Sequence, residues 1–317
     1  MASPFEQNGN RPQVRGLPTI DVLREMMTQL STELTKKLAG AVEKMPAFPK
    51  SVQRILELTR DINCPPKELV MVIETDPVLT MKLLRILNSA YYSFSKQITS
   101  VNQSVVCLGL NTVKNLALSF AAMGSLPQQN AAGFDMQRYL LHSLATASLA
   151  RLLCHKYGKD DTDPADCYIA GLLHDFGKVV FAQFLPTEFK QALACSQEQA
   201  IPLHQAERQI IGTDHTVVGS MLTERWQFPG QLSDTIRRHH SDIASGDTVL
   251  CCLYVANQIS KQLALGNSGN PMVEHLPGVL VDYFGGDLQQ IIDNLGDISS
   301  LMNEVQVFAK ISKGDAP

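Results

Sequence analysis

Apolar residues recur every three or four positions along most of the chain, whereas alternating strand patterns are hard to find. From Thr19 to about Lys44, apolar residues at helical spacing predict an amphipathic helix. Its apolar stripe, from Ile20 to Leu38, packs on the body of the protein in one interpretation and forms the seam of a homodimer in the other. The pattern as a whole predicts an all-α fold.

A proline-rich connector, Met45–Pro49, follows this helix, because proline restricts its own backbone and that of the preceding residue. The pattern from Ser51 to Met123 predicts five short helices joined by tight turns. In one of them Asp76 is the predicted N-cap and Pro77 the first helical residue, where the missing amide hydrogen does no harm. These helices form a predicted N-terminal lobe.

A second predicted lobe is built around an apolar stretch from Cys167 to Phe184, which is interrupted by His174, Asp175 and Lys178. We interpret the stretch as one continuous helix, preceded by a long helix from about Asp135 to Tyr157. An unpaired charge inside a core is costly. The adjacent histidine and aspartate are therefore expected to be hydrogen-bonded, ion-paired or bound to a metal ion.

Further polar residues lie at the ends or on the apolar faces of later helices. Thr213 is the predicted N-cap of a helix with His215 near its start. A short helix is expected to end on His239 and His240, and the apolar helix after it carries Asn257 within its stripe.

These elements divide the chain into predicted segments. The segments are a disordered tail (1–18), an N-terminal helix (19–44), the N-terminal lobe (45–126), a second helical lobe (134–260) and a C-terminal helical extension (261–317). Within the last segment, the loop Gly266–Pro271 is expected to be flexible.

Composition narrows the classes of function. The chain has 317 residues, 44% hydrophobic and 18% charged, with a net charge of -4 and a pI near 6.1. Nucleic-acid binding draws on clustered Lys and Arg, so no direct nucleic-acid partner is expected. No stretch approaches the roughly 18 apolar residues of a membrane span, and the first residues lack a signal pattern. We therefore expect a cytoplasmic protein without membrane contact.

The seven cysteines are an odd number without CxxC spacing. Cys107, Cys154 and Cys195 fall in apolar surroundings, and we interpret them as reduced core thiols.

Histidine carries the most distinctive chemistry. Of eight histidines, five lie on apolar helices or at helix ends of the second lobe: His142, His174, His215, His239 and His240. A single histidine on an apolar face is usually a hydrogen-bonded core residue, but several together with a carboxylate form a set that divalent metal ions favour. Facing helices can hold such ligands. A hydrogen-bonded core without metal is the alternative.

The order of these residues resembles the HD superfamily. His142, then His174 and Asp175, then a late polar residue at Asn257, are similar to its pattern of His, His-Asp and a final Asp. A larger set resembles the extended ligand set of the HD-GYP phosphodiesterases. It consists of the segment His174–Lys178 together with His215, His239 and His240.

The N-terminal lobe resembles the HDOD family, the HD-related output domain. Three segments carry the likeness in the same order and at similar spacing: Met45–Pro49, Asp76–Ala90 and Leu108–Leu110. The resemblance covers roughly Lys44 to Ser260. It implies an all-helical, multi-helix HD-like bundle with an N-terminal helical lobe, and a signalling or regulatory role in bacteria.

For the site, the resemblance implies one or two divalent ions, of iron, manganese, zinc or nickel. Lys178 matches the lysine that contacts substrate phosphate in the family. The implied metal ligands are His142, His174, Asp175, His215, His239, His240 and Asn257.

Three departures from the family pattern weigh against catalysis. Asn257 stands where the family has an aspartate, and a neutral amide oxygen is a weaker ligand than a carboxylate. Arg138 stands where trimetal relatives have a glutamate ligand. After His240 the chain reads Ser-Asp-Ile-Ala, without the Gly-Tyr-Pro triplet.

Two functions from different classes follow. The first is a bacterial regulatory output module, in which the metal braces the lobe or senses a ligand, and which binds a signalling protein or a small nucleotide. The second is a metal-dependent phosphohydrolase acting on a phosphodiester or nucleotide. There His174 and Asp175 would hold the ions and Lys178 would neutralise developing charge. Asn257 and the missing Gly-Tyr-Pro triplet favour the module.

Overall fold

Every regular element among the described residues is an α-helix and none is a strand, which confirms the all-α prediction. The computed structural model describes residues 32–58, 65–89, 92, 94, 97–127, 129–159, 162–241, 243 and 246–312. The predicted disordered tail and the first part of the predicted N-terminal helix lie outside these residues. In the described part, no helix is both long enough and apolar enough to cross a membrane.

The N-terminal part of the fold consists of one helix followed by five short ones. They are α1 (Thr32–Lys44), α2 (Lys50–Leu58), α3 (Pro66–Glu74), α4 (Pro77–Leu87), α5 (Val101–Leu108) and α6 (Leu110–Gly124). The five predicted short helices are therefore confirmed as α2–α6. The predicted cap is present too, because the Asp76 carboxylate accepts a hydrogen bond from the Leu79 amide at 3.0 Å.

The rest of the described chain is also helical. Its helices are α7 (Met136–Tyr157), α8 (Pro164–Leu173), α9 (Phe176–Phe184), α10 (Pro186–Gln199), α11 (Leu203–Ile210), α12 (His215–Arg225), α13 (Gly230–Arg238), α14 (Thr248–Gln262), α15 (Gly278–Phe284), α16 (Leu288–Leu295) and α17 (Ser299–Ser312). At the centre α7, α8 and α14 pack on one another, and α17 packs against both α7 and α4. The buried Leu38 and Val42 lie on α1, which packs on α9 and α12 within the chain.

The prediction of one continuous helix from Cys167 to Phe184 is wrong, because the chain turns at His174 and Asp175 between α8 and α9. Asp175 has φ -96° and ψ 6°, outside the helical region. The physical reason is packing, which periodicity does not report. A Cβ at Gly177 would lie 2.0 Å from the carbonyl oxygen of His215, so α9 leans directly on the start of α12. The turn lets α8 pack on α7 while α9 packs on α12.

The crossing of α7 and α8 is equally close. A Cβ at Gly171 would lie 2.6 Å from the Cα atom of Ala147, so only glycine permits this approach. The crossing brings His142 of α7 beside His174 at the end of α8, with ring centroids 5.6 Å apart.

Trp226 fastens the proline-rich connector to the second lobe. Its indole N–H donates to the Pro46 carbonyl oxygen at 3.0 Å, and its ring is 1% exposed. The ring lies 4.9 Å from that of Phe48 and 5.2 Å from that of Phe176. Through Trp226 the connector is therefore held against α9, the helix that follows the turn at His174 and Asp175.

Two smaller predictions are wrong. The N-cap of α12 is Asp214 rather than Thr213, because the Asp214 carboxylate accepts the Thr216 amide hydrogen at 2.9 Å and suits the positive end of the helix dipole.

Cys107 is exposed, since it lies on a face of α5 that is turned away from the core, whereas Cys154 and Cys195 are buried as predicted.

Replacing Gly177 by alanine is expected to destabilise the protein by roughly 1–3 kcal/mol, because the added methyl group meets backbone that cannot move aside. The matched control is Gly40→Ala in α1, where nothing lies within 4 Å of an added Cβ. There alanine should stabilise the helix by about 0.5–1 kcal/mol. Urea unfolding of both variants measures the difference. Equal free energies of unfolding would contradict the close packing of α9 on α12.

Candidate metal centre

Six of the predicted site residues meet in the interior of the second lobe. Five of them are at most 2% exposed, and the sixth, His240, is partly exposed. They are His142 in α7, His174 and Asp175 in the turn after α8, His215 at the start of α12, and His239 and His240 directly after α13.

The carboxylate of Asp175 lies between two pairs of imidazole rings. Its Oδ2 atom is 3.3 Å from Nε2 of His174 and 3.7 Å from Nε2 of His142. Its Oδ1 atom is 3.1 Å from Nε2 of His215 and 3.7 Å from Nε2 of His239. Each oxygen therefore faces two ring nitrogens, the arrangement expected of a carboxylate that bridges two cations.

The opposite nitrogen of each ring is already engaged, which fixes where the remaining lone pair points. Nδ1 of His174 lies 2.8 Å from the carbonyl oxygen of Gly171, and Nδ1 of His239 lies 2.6 Å from that of Ile236. A carbonyl oxygen can only accept, so Nδ1 donates in both rings. In a neutral ring Nε2 then carries the lone pair.

His142 and His215 are oriented in the same way, but by side chains. Nδ1 of His142 donates to Oγ of Ser260 at 3.1 Å, because the serine hydroxyl in turn donates to the carbonyl oxygen of Leu265 at 3.2 Å. Nδ1 of His215 donates to Oε2 of Glu207 at 2.6 Å. In their neutral forms all four rings therefore direct a lone pair at the shared carboxylate.

Lone pairs that face a buried carboxylate are stabilised when a proton or a metal cation lies between them. Among the described residues, no hydrogen-bond partner satisfies Nε2 of His142, Nε2 of His174 or Oδ1 of Asp175. Nε2 of His215 and Nε2 of His239 lie 3.3 Å apart. That separation suits two nitrogens that are each about 2.1 Å from one tetrahedral ion. The donor set fits divalent metal ions, and these residues could hold them.

The charge states agree with this use. Burial lowers the pKa of His142 well below its usual range and lowers the pKa of His239 to about 4, so both rings are neutral at neutral pH. Burial alone would raise the pKa of Asp175, but His174 and Lys178 outweigh it and hold that pKa well below its usual range. Metal ligation requires this combination of neutral imidazole and ionised carboxylate.

Glu207 is a site residue that the sequence analysis missed. It is fully buried on α11 and accepts hydrogen bonds from both Nδ1 and the backbone amide of His215, at 2.6 and 3.0 Å. Burial lowers the pKa of His215, but the Glu207 and Asp175 carboxylates together outweigh burial and raise it to about 9. A metal ion bound at Nε2 of this ring would therefore displace a proton. The available signal was its position on the buried face of α11, four residues after Leu203.

Lys178 and a loop that was predicted to be flexible cover the carboxylate. Nζ of Lys178 lies 2.7 Å from Oδ2 of Asp175 and 3.2 Å from Oγ of the buried Ser268. A Cβ at Gly266 would lie 2.3 Å from the backbone of α7. The loop Gly266–Pro271 is therefore packed on α7 and brings a buried hydroxyl to the site, which its polar composition did not indicate.

Asn257 and Arg138 occupy different environments. Asn257 is 3% exposed on α14, one turn before the Ser260 that contacts His142, and its Oδ1 has no hydrogen-bond partner among the described residues. Its assignment as a weak ligand stays a prediction. Arg138 is exposed near the start of α7, so it is not part of the buried donor set.

Comparisons with known proteins find a matching family model and a curated relative. The family model of the HDOD domain matches residues 45–242. The chain is 29% identical over 216 residues to an uncharacterized protein of Treponema pallidum (strain Nichols), and the match covers 67% of this chain and 41% of the relative. The chain thus spans about two fifths of the length of that relative.

Solved structures share the fold. An HDOD domain protein of unknown function from Geobacter sulfurreducens is similar with a TM-score of 0.70 at 24% identity, covering 92% of this chain and 97% of that one. A candidate signal transduction protein from Marinobacter aquaeolei VT8 has a TM-score of 0.72 at 23% identity, covering 88% and 66%. A candidate phosphohydrolase from Shewanella amazonensis SB2B has a TM-score of 0.66 at 21% identity, covering 88% and 99%. At these identities the likeness is one of fold.

Replacing Glu207 by glutamine is expected to weaken metal binding by about 10–100-fold, because the carboxylate that orients a ligating histidine also makes it more basic. Titration calorimetry of metal-stripped protein with Zn²⁺ measures the affinity. Glu198→Gln, at an exposed position of α10, is the matched control and should bind as the wild type does. An unchanged affinity in the Glu207 variant would refute the orienting role.

The metal-stripped protein is expected to be most stable near pH 6.5. The pKa of His239 is lowered from 6.5 to about 4 in the folded protein. Between pH 6.5 and 4 the unfolded chain therefore binds more protons than the folded one, and the free energy of unfolding falls as the pH is lowered. The pKa of His215 is raised from 6.5 to about 9, so its contribution is complete below 6.5 and is lost as the pH rises towards 9. Urea unfolding at a series of pH values measures both sides. In Glu207→Gln the free energy of unfolding should change less between pH 6.5 and 9 than it does in the wild type. A wild type whose free energy of unfolding does not change over that range would contradict the raised pKa of His215.

Proposed function

Because the chain belongs to the HDOD domain family, we propose that it is a bacterial regulatory output module whose buried His-Asp centre holds one or two divalent metal ions. The ions brace the second lobe from inside by joining α7, the turn after α8, the start of α12 and the end of α13. The module acts by binding a signalling protein or a small nucleotide.

The convergence of four ring nitrogens on one carboxylate carries this proposal. A core without metal would need a proton between each ring and Asp175. In His174 and His239 the proton of the neutral ring is already given to a backbone carbonyl through Nδ1. Without metal, His215 keeps a proton for Oδ1 of Asp175, because its pKa is raised to about 9. The metal-free alternative still leaves the Nε2 acceptors of His174 and His239 without a proton to give to the carboxylate, which is costly.

The closure of the centre supports a bracing metal more than a catalytic one. A hydrolytic metal site keeps a coordination position open to substrate. Here His174 and Asp175 have no exposed surface, and Ser268 with Lys178 lies over the carboxylate. The neutral Asn257, in place of the late aspartate, removes one anionic ligand as well.

The phosphohydrolase is the second candidate, and the position of Lys178 supports it. Its buried ammonium group lies 2.7 Å from Oδ2 of Asp175, where it would stabilise negative charge developing on a phosphoryl oxygen. Divalent ions, when bound, supply an activated water and polarise the phosphoryl group. The loop that carries Ser268 would have to move to admit a substrate.

Elemental analysis of the protein purified under low oxygen tests the metal centre. The wild type should carry one or two ions per chain, and the double variant His174→Ala, Asp175→Ala should carry none above background. His155→Ala, which removes an exposed histidine of α7, is the control and should keep the wild-type content. Chelation should lower the Tm of the wild type, because an ion that binds only the folded state stabilises it. A wild type without metal would contradict the proposal.

Turnover then separates the two functions. The module predicts that the metal-loaded wild type hydrolyses bis(p-nitrophenyl) phosphate no faster than the double variant. A rate that is lost in Lys178→Met, while metal content is kept, would instead establish the phosphohydrolase. Circular dichroism reports whether each variant keeps its helices.

A further inference from the structure

Another group of side chains that could hold a metal ion lies beside the buried centre. It consists of His204 on α11, His240 after α13 and Glu274 on the segment before α15, and one ligand atom of each lies within 4.8 Å of the others. Only His240 belongs to the ligand set that the sequence predicts. The other two residues come from elements that contribute nothing to the ligands around Asp175.

The rings of the two histidines, His204 and His240, are stacked on each other. The ring centroids are 4.3 Å apart and the planes differ by 17°. His204 is 6% exposed, and Nδ1 of His240 is buried without a hydrogen-bond partner among the described residues.

Glu274 is held in place by α14. Its backbone N–H donates to Oε1 of Gln258 at 2.8 Å, and the hydroxyl of Tyr254 donates to the carbonyl oxygen of His275 at 3.4 Å. Its carboxylate meets Nζ of Lys261 at 3.4 Å through Oε1, a distance longer than that of a strong charge-assisted hydrogen bond. This ion pair is loose enough for the carboxylate to serve a metal ion as well.

We propose that His204, His240 and Glu274 form an outer metal site for a divalent ion of the Zn²⁺ type. Two imidazoles and a carboxylate are the protein ligands of zinc sites that keep a fourth position open. His240 and Glu274 are partly exposed, so water or an anionic group such as a phosphate can reach that position from solvent. The site requires no ion in the inner centre.

An ion in this outer site joins α11, the end of α13 and the segment between α14 and α15. The same segment brings Ser268 against Lys178 over the inner carboxylate. Occupancy of the outer site thereby fixes the segment that covers the inner centre. The outer ion is exchangeable from solvent, whereas the inner donors are enclosed.

Metal stoichiometry in matched variants tests the outer site. Metal-stripped protein is loaded with Zn²⁺, freed of excess ion by gel filtration and analysed for zinc per chain. His204→Ala and Glu274→Gln should each bind one ion fewer than the wild type, and Asp175→Asn should keep the outer ion. Lys261→Met removes the ion pair with Glu274 but no ligand, so it should keep the wild-type number. His155→Ala is the control for a lost exposed histidine.

The outcomes distinguish the outer site from the inner one. Full zinc content in Glu274→Gln, whose partly exposed position tolerates an amide, would overturn the outer site even if His204→Ala fails to fold. Ions lost in Asp175→Asn alone would leave the inner centre and remove the outer one. A third outcome is a wild type that binds a single ion. If His204→Ala and Glu274→Gln lose that ion and Asp175→Asn keeps it, the outer site is established and the inner one is refuted.

Discussion

The buried carboxylate of Asp175 is the constraint on which the second lobe depends. An ionised carboxylate without solvent contact must be neutralised and hydrogen-bonded, and Lys178 contacts only its Oδ2 atom, at 2.7 Å. His215 can add a proton at Oδ1, whereas His142 and His239, whose pKa values are lowered, add lone pairs. Metal ions held by these rings and the carboxylate would satisfy the remaining acceptors and would link helices that are distant in the chain.

Helix ends, more than helix faces, position the donors. His174 and His239 each follow the last turn of a helix and donate Nδ1–H to a carbonyl of that turn, which satisfies the backbone and selects the ring tautomer in one contact. Glu207 does the same for His215 from α11. The donors are therefore oriented by the protein itself, and the Ser268 segment encloses them. Such a preorganised, enclosed centre suits a module that uses metal to set its shape.

Much of this could be predicted from the sequence, and the failures have identifiable causes. Periodicity and capping residues such as Asp76 located the helices, because both signals are local. The turn at Asp175 was invisible, because it depends on the contact of Gly177 with the distant backbone of His215. Ser268 was missed for the same reason, since a polar residue within a polar loop gives no sign that tertiary packing will bury it. Glu207 was missed although its position one turn after Leu203 was a local sign of burial.

An anomalous difference map from crystals of protein purified without added metal would show directly whether metal ions occupy the centre. We expect density for one or two ions within about 2.0–2.3 Å of Asp175 and of Nε2 of His142, His174, His215 or His239. Ordered water in place of metal, hydrogen-bonded to those ring nitrogens, would contradict it and leave the His-Asp cluster as a hydrogen-bonded core.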